Sequence, residues 1–294
     1  MAPLTYQIGK VRTHLISDGV YWTDGGGVFG LVPRVLWEKV IQPDAFNRIP
    51  MDLRCLLIES GEGLILVDTG YGTKLAPKRL QQLNLTSEAR LLDNLAAAGF
   101  TAADVRMVIN THLHGDHCGG NTILGPDGQL LPTFPNATYL MQRLELADAS
   151  FPNERTRGTY FAENFLPLVD LCAEQGGAGR ARLLSGDTQV TAEVRVQVTP
   201  GHTRSHQVVI VESAGETAIF LGDAGYGANL ERLAWVPAFD VEPLQSIETK
   251  RALRDWAWRR DALLFFQHDI AVPAGRLHVE GENWRVEAAS AVVR

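Results

Sequence analysis

The 294-residue sequence contains no apolar run near the ~20 residues that a bilayer-spanning helix needs, so a membrane-crossing segment is not expected. An excess of basic residues is also missing. With 27 Lys and Arg against 34 Asp and Glu, the net charge is −7, which argues against a nucleic-acid partner, whose phosphates require a basic stripe. Lys250-Arg251 and Arg259-Arg260 are the mild exceptions and read as solvated helix faces. Cysteine is scarce: Cys55, Cys118 and Cys172 form no paired spacing, which fits a reducing compartment better than a disulfide framework. The segment Met1-Ala2-Pro3-Leu4-Thr5-Tyr6 has neither a basic nor an apolar signal region, so a cytoplasmic location is expected. No low-complexity linker divides the chain, and residues 1–294 are expected to form a single domain. The composition, 45% hydrophobic and 21% charged, is that of an ordinary globular enzyme.

Strand-like and helix-like stretches alternate. Strands are expected at Val11–Ser17, Leu53–Glu59, Gly63–Val67, Val105–Asn110, Ala137–Met141, Val194–Val198, Gln207–Glu212, Thr217–Leu221 and Ala262–Phe266, with a hairpin over Arg276–Glu287. Helical spacing marks Ser87–Ala98, with Gly99 as its stop, then a segment from Arg143, one from Tyr160 to about Glu174, and Leu244–Trp258. Two stretches interrupt the rhythm. A Gly-, Pro- and Trp-rich loop is expected over about 20–50, and a helical cap insertion over about 142–178, the latter offering a subunit-contact surface. The pattern predicts two sheets between outer helices.

What the sequence does contain is a dense set of metal-binding side chains. In Thr111-His112-Leu113-His114-Gly115-Asp116-His117, four of them occupy six positions, and three of the chain's eight histidines fall there. His112 and His114 are two apart, a spacing that needs extended or turning backbone rather than helix to aim both rings at one ion. His202, Asp223 and His268 follow downstream, each just after a strand-like run. Five imidazoles and two carboxylates suffice for two divalent cations, and a carboxylate can bridge where a neutral imidazole cannot. Such a centre makes hydroxide at neutral pH beside a polarised carbonyl or phosphoryl group. Gly115 and Gly119-Gly120 are expected to supply the backbone freedom of the turn.

The His-Xaa-His-Xaa-Asp-His run, the later His202, Asp223 and His268, and the upstream Val67-Asp68-Thr69-Gly70 resemble the metallo-β-lactamase-fold superfamily, in order and over most of the chain. The resemblance implies an α/β fold, an αβ/βα four-layer sandwich with two central mixed β-sheets flanked by helices. It implies two divalent ions, zinc foremost, with iron, manganese or cobalt also suited to these ligands. By that likeness His112, His114 and His202 hold the first metal, Asp116, His117 and His268 hold the second, and Asp223 bridges them. Asp68 orients the ligand loops without binding metal, and His206 is structural or supports a ligand.

Within the superfamily, an aspartate at 223 argues against true β-lactamases, histidine at 114 against the flavin-linked di-iron branch, and the acidic charge against a transfer-RNA-processing nuclease. The chain is most similar to lactonases that open N-acyl homoserine lactones, the quorum-quenching reaction, and to methyl parathion hydrolase-like enzymes that act on phosphotriesters and aryl esters. The expected substrate is thus a small molecule. In the expected mechanism a metal-bridging hydroxide attacks the lactone carbonyl, and the leaving alkoxide takes a proton from water or through Asp116. Tyr226 stands where similar lactonases carry a tyrosine near the carbonyl; it either donates a hydrogen bond there or packs in its Gly-Tyr-Gly turn. Trp22, Phe29, Leu31, Trp37, Tyr160 and Phe161 are candidates for contact with an apolar substrate group, with core packing as the alternative. Similar lactonases are often homodimers. Three rivals carry their own marks: a glyoxalase II-like thioesterase would need a basic carboxyl-terminal glutathione site, a persulfide dioxygenase one iron, and a binding protein no turnover.

Overall fold

Runs such as Leu64-Ile65-Leu66-Val67 and Val208-Val209-Ile210-Val211 are apolar at every position, the mark of strands covered on both faces. The structure, a computed structural model, describes residues 3–85, 90–169 and 179–292. Among them, β1 (Leu4–Ile8), β2 (Val11–Asp24), β3 (Arg48–Ser60), β4 (Gly63–Val67) and β5 (Val105–Ile109) build most of a first sheet. A hairpin of β6 (Thr122–Leu124) and β7 (Leu130–Pro132) precedes its last strands, β8 (Thr138–Gln142) and β9 (Ala181–Leu184). The second sheet comprises β10 (Thr188–Gln189), β11 (Val194–Val198), β12 (Gln207–Ser213), β13 (Glu216–Phe220), β14 (Leu263–Phe265), β15 (Ala274–Glu280) and β16 (Asn283–Ala288). Each is seven-stranded, in the orders β1-β2-β3-β4-β5-β8-β9 and β10 through β16 in sequence. Both are mixed: β4, β5, β8 and β9 run parallel, as do β13 and β14, while the flanking pairs are antiparallel.

Alternate residues divide the sheets into layers. Ile65 and Val67 of β4, with Val209 and Val211 of β12, Phe220 and Phe265, fill the core between the sheets. Leu64 and Leu66 face outward beneath the helix Leu91–Ala97 and the segment around Phe165. Val208 and Ile210 face outward beneath the helix Pro243–Arg259 through Leu253 and Ala257. Two sheets between two helical layers make the four-layer α/β sandwich expected from the sequence.

Most expected strands occur within a residue or two of their predicted ends, but β2 and β3 run longer. They absorb both ends of the supposed loop over 20–50, whose middle forms short helices at Gly25–Phe29 and Arg34–Trp37. The cap contains a helix at Arg143–Ser150, a 3-10 turn at Ala162–Asn164 and one turn at Leu166–Val169. The expected helical run to Glu174, Cys172, the end of the cap, and Ser87 to Ala89 of the helix ending at Ala98 lie wholly or partly outside the described residues. Among those described, no helix is long and apolar enough to cross a membrane.

At one edge the sheets are tied together. Gln207 at the start of β12 donates its backbone N–H to Thr111 O (2.9 Å) and its side-chain amide to Asn110 O (2.8 Å), just beyond β5. Asp52 and Arg54 of β3 donate backbone N–H groups to His268 O and Gln267 O, each at 3.2 Å. The expected ligand segments all leave their strands at this edge. Phe220 lies fully buried in the inter-sheet core, so Phe220→Ala should cost about 3–5 kcal/mol by a cavity left between two rigid layers. The midpoint of urea unfolding measures it, and a loss below about 1 kcal/mol would show that the sheets close over the gap.

Candidate metal centre

Four strand ends deliver the ligand candidates. After β5 the chain stays extended through His112 to His114, which begins a one-turn helix at Gly115–Cys118 carrying Asp116 and His117. His202 follows β11, Asp223 follows β13 and His268 follows β14. The fold thereby brings the seven side chains expected from the sequence into three overlapping clusters: His112, His114 and His202; His112, His117 and Asp223; Asp116, His117 and His268.

Asp223 stands between them. Its Oδ2 lies 3.1 Å from His202 Nε2, while its Oδ1 lies 3.1 Å from His268 Nε2 and 3.5 Å from His117 Nε2. Each carboxylate oxygen therefore faces a different group of imidazoles. His114 turns Nδ1 inward, 3.0 Å from His202 Nε2. Asp116 closes the second group, with Oδ2 3.7 Å from His268 Nε2 and Oδ1 3.8 Å from His117 Nε2.

The outer ring nitrogens are committed elsewhere. His117 Nδ1 meets Asp68 Oδ2 at 2.9 Å, His202 Nδ1 meets Asp240 Oδ1 at 2.9 Å, and His268 Nδ1 donates to Asp52 O at 2.7 Å. Because a carbonyl only accepts, Nδ1 of His268 must carry the proton, and neutral His268 presents a lone pair at Nε2. The carboxylate partners impose the same tautomer on His117 and His202. In the neutral form that ligation requires, His117 Nε2 then faces His268 Nε2 at 3.3 Å, lone pair to lone pair, whereas without a metal the surrounding carboxylates favour a proton between them. His112 Nε2 and Asp223 Oδ1 are buried without any hydrogen-bond partner, an arrangement that costs about 1–3 kcal/mol per group. Divalent cations between these atoms remove every one of these conflicts, so the residues fit a metal centre.

Charge follows the same geometry. Burial and the neighbouring imidazoles hold His112 and His114 well below the usual histidine range, leaving them neutral and ready to ligate. Burial pulls His117 down too, but Asp223, Asp116 and Asp68 outweigh it and drive that ring well above its ordinary value. Burial raises Asp223, yet His117, His202 and His268 bring its carboxyl well below the usual range.

Asp68 occupies the left-handed backbone region at φ 58°, which lets the chain turn sharply off β4. Its carboxylate accepts from Thr111 N and Thr111 Oγ1, both at 2.8 Å, as well as from His117. His206 accepts the Asp223 backbone N–H at Nε2 (3.1 Å) and contacts Thr199 Oγ1 (2.8 Å), so it supports Asp223 and stays out of the ligand clusters. Asp269 accepts from the N–H groups of Ala271 and Val272 and caps a turn. Gly119 and Gly120 differ in role from the expectation. Gly119 is ordinary right-handed helical backbone, and a Cβ there would lie 2.2 Å from Tyr71 O, as one on Gly120 would from Thr69 O. Close approach of the ligand turn to the chain after Asp68, not conformational freedom, requires glycine there.

Sequence reasoning missed Asp240, Asp52 and Tyr21. Tyr21 Oη donates to Asp116 Oδ2 at 3.1 Å, and its ring packs edge-on against His268 and Tyr71. None of the three lies in a motif, and each acts across a long stretch of chain. Tyr226 ends the turn after Asp223, its ring 6.0 Å from that of His268. Burial, with the charges of Asp223, Asp240 and Asp116, keeps its phenol protonated far above neutral pH.

A cavity of about 430 Å³ opens beside His268 and Tyr226. Phe29, Ile49, Met51, Trp235 and Val272 form its apolar wall. Of the aromatic and apolar candidates named from sequence, Phe29 lines it. Trp37 is instead buried behind, stacked on Phe29, and Leu31 points into solvent. Tyr160 packs against His114, Phe161 covers Gly115, and Trp22 stands half-buried on β2 outside the cavity.

Residues 54–268 match the metallo-beta-lactamase superfamily. The chain is 28% identical over 243 residues to an N-acyl homoserine lactonase of Bacillus cereus, a match covering 78% of this chain and 86% of that relative. The solved structure of a probable metal-dependent hydrolase from Staphylococcus aureus superposes with a TM-score of 0.86 at 26% identity, covering 98% of this chain and 100% of that one. AidC, a dizinc quorum-quenching lactonase, superposes with a TM-score of 0.79 over 99% of both chains; at 20% identity this likeness is one of fold.

Stripping metal with a chelator should lower Tm by several degrees, and Zn2+ should restore it, because bound ions stabilise only the folded chain. Equal Tm values with and without metal would show that the cluster holds none. Asp240→Ala should weaken metal retention about 10–100-fold in a chelator competition, since it frees the His202 ring to turn.

Proposed function

The chain belongs to the metallo-beta-lactamase superfamily and is a metal-dependent hydrolase, and from that premise we propose that it opens the ring of N-acyl homoserine lactones or closely related lactones. The proposal includes two divalent cations, zinc foremost: one on His112, His114 and His202, one on Asp116, His117 and His268, with Asp223 shared. Such ions would supply positive charge for a developing oxyanion and a water acidic enough to yield hydroxide at neutral pH.

The observation that carries the substrate class is the cavity beside His268. It is apolar over most of its wall, meets the ligand cluster at one end, and lacks an unpaired cationic cluster among the described residues. Arg232, which borders it, pairs with Glu231 at 3.6 Å and lies over the Trp235 ring. A neutral polar head placed at the cluster with an aliphatic tail along Phe29, Ile49 and Met51 suits this shape. Glutathione thioesters, which carry two carboxylates, find no matching charge. The lactonase relatives support the same reading.

The residues around the head then have separable tasks. Tyr226, protonated by burial, donates a hydrogen bond to the carbonyl oxygen as negative charge builds there. Asp116 holds the proton released by the attacking water and passes it to the ring oxygen as the ester C–O bond breaks. Tyr21 fixes Asp116 for this transfer by donating to Oδ2. Asp68, Asp240 and the Asp52 carbonyl hold the imidazole rings in one orientation throughout.

A panel of acyl homoserine lactones of several chain lengths, simple γ- and δ-lactones, a phosphotriester, an aryl ester and a glutathione thioester tests the reading on one metal-quantified preparation. Lactones should lead in kcat/KM by orders of magnitude; a lead by the triester, ester or thioester would replace the substrate class. Met51→Trp should cut kcat/KM for a decanoyl lactone at least about 10-fold while sparing a butanoyl one, because it fills the tail region only. Tyr226→Phe should lower kcat about 10²-fold with KM little changed; unaltered kcat would leave Tyr226 as cavity wall.

A further inference from the structure

The helix Arg143–Ser150, on the cap, carries Glu145, a fully buried carboxylate that lies outside the ligand clusters and pairs with no cation among the described residues. Its partners are instead four hydrogen-bond donors. Oε1 accepts from Leu113 N at 3.0 Å and Tyr160 Oη at 3.1 Å, while Oε2 accepts from Thr203 Oγ1 at 2.6 Å and Ser205 Oγ at 3.1 Å. These donors are not scattered. Leu113 is the residue between His112 and His114, Thr203 directly follows His202, and the Tyr160 ring packs on His114 with centroids 4.8 Å apart. The His114 and Tyr160 backbones also form an isolated bridge.

We infer that Glu145 is the positioning residue of the first metal set: one carboxylate fastens the His112–His114 segment, which leaves the first sheet, to the His202 segment, which leaves the second. Burying a carboxylate is costly unless its oxygens are hydrogen-bonded, and here all four bonds come from the backbone and side chains that set where those three rings point. Nothing comparable joins Glu145 to Asp116, His117 or His268. Its influence therefore falls on one ion of the pair. The inference rests on the two-ion reading above, and its test separates the two.

Wild type, Glu145→Ala and Glu145→Gln are loaded with Co2+, and the two ions are withdrawn by a graded chelator while the visible spectrum is followed. An Asp116→Asn variant, lacking a ligand of the second set, identifies which step belongs to the first ion. Glu145→Ala should weaken the first ion about 10–100-fold and change its spectrum, leaving the second within about 3-fold. Glu145→Gln should restore most of that loss, since its amide oxygen can accept from Leu113 and Tyr160 while its NH2 donates to the hydroxyls of Thr203 and Ser205. Unchanged affinities in Glu145→Ala, equal weakening of both ions, or failure of Glu145→Gln to rescue would each overturn the inference. If Glu145→Ala does not fold, Tyr160→Phe and Thr203→Val each remove one donor and should show a smaller loss confined to the first ion; its absence in both overturns the inference too. A wild-type protein that binds only one ion removes the two-ion reading itself, and the assignment of Glu145 falls with it.

Discussion

Three imidazoles in this protein have spent their N–H groups before they meet. His117, His202 and His268 donate outward to Asp68, Asp240 and the Asp52 carbonyl, so in their neutral forms the nitrogens they turn inward are lone pairs, two of the contacts lying 3.0 and 3.3 Å from other ring nitrogens. Protons shared within a pair answer the contacts one at a time, as the raised His117 shows, whereas metal ions placed among the rings would answer the whole group at once. Much else in the fold serves to hold that crowd. Asp68 accepts the left-handed backbone region to reach beneath the ligand turn, Gly119 and Gly120 let that turn come within touching distance of residues 69–71, and Gln207 and β3 tie the two sheets together at the edge where the ligands emerge.

The tie at β3 joins chemistry to stability. Asp52 and Arg54 form a buried pair at 2.9 Å, and the Arg54 guanidinium also donates to the carbonyls of Phe266 and Asp269 on either side of His268. A buried ion pair by itself is weak evidence of stabilisation, since desolvation offsets its attraction. Here its geometry has a clear use: a strand of the first sheet fixes the loop of the second that carries His268.

The clustering of the candidate ligands and the layered fold were legible in the sequence for definite reasons. His112, His114, Asp116 and His117 are clustered at a spacing that only a turn after a strand can use, and His202, Asp223 and His268 each follow a strongly apolar run. Asp68 could be placed through its family motif. The supporting residues were not legible, because Asp240, Asp52, Glu145 and Tyr21 act on partners 15 to 216 positions away, and a lone acidic or aromatic residue carries no local sign of that. Direction was equally hidden in the segment 20–50. Phe29, Leu31 and Trp37 are neighbours of similar character, yet one lines the cavity, one faces water and one is core. Irregular and short helical backbone has no fixed period from which to infer a side chain's face, whereas the long strands do.

The cavity wall at Phe29, Ile49 and Met51 comes from chain that precedes every candidate ligand, and Trp235 and Val272 stand on loops beyond Asp223 and His268. On the proposed reading of the cavity, reactivity and selectivity are then written in different passages of the polypeptide. Substitutions in the wall can lengthen, shorten or reshape the cavity while the imidazoles keep their places, so new substrate preferences are open to selection without a passage through inactive intermediates. A scaffold arranged in this way can diversify at its mouth while its chemistry is inherited unaltered.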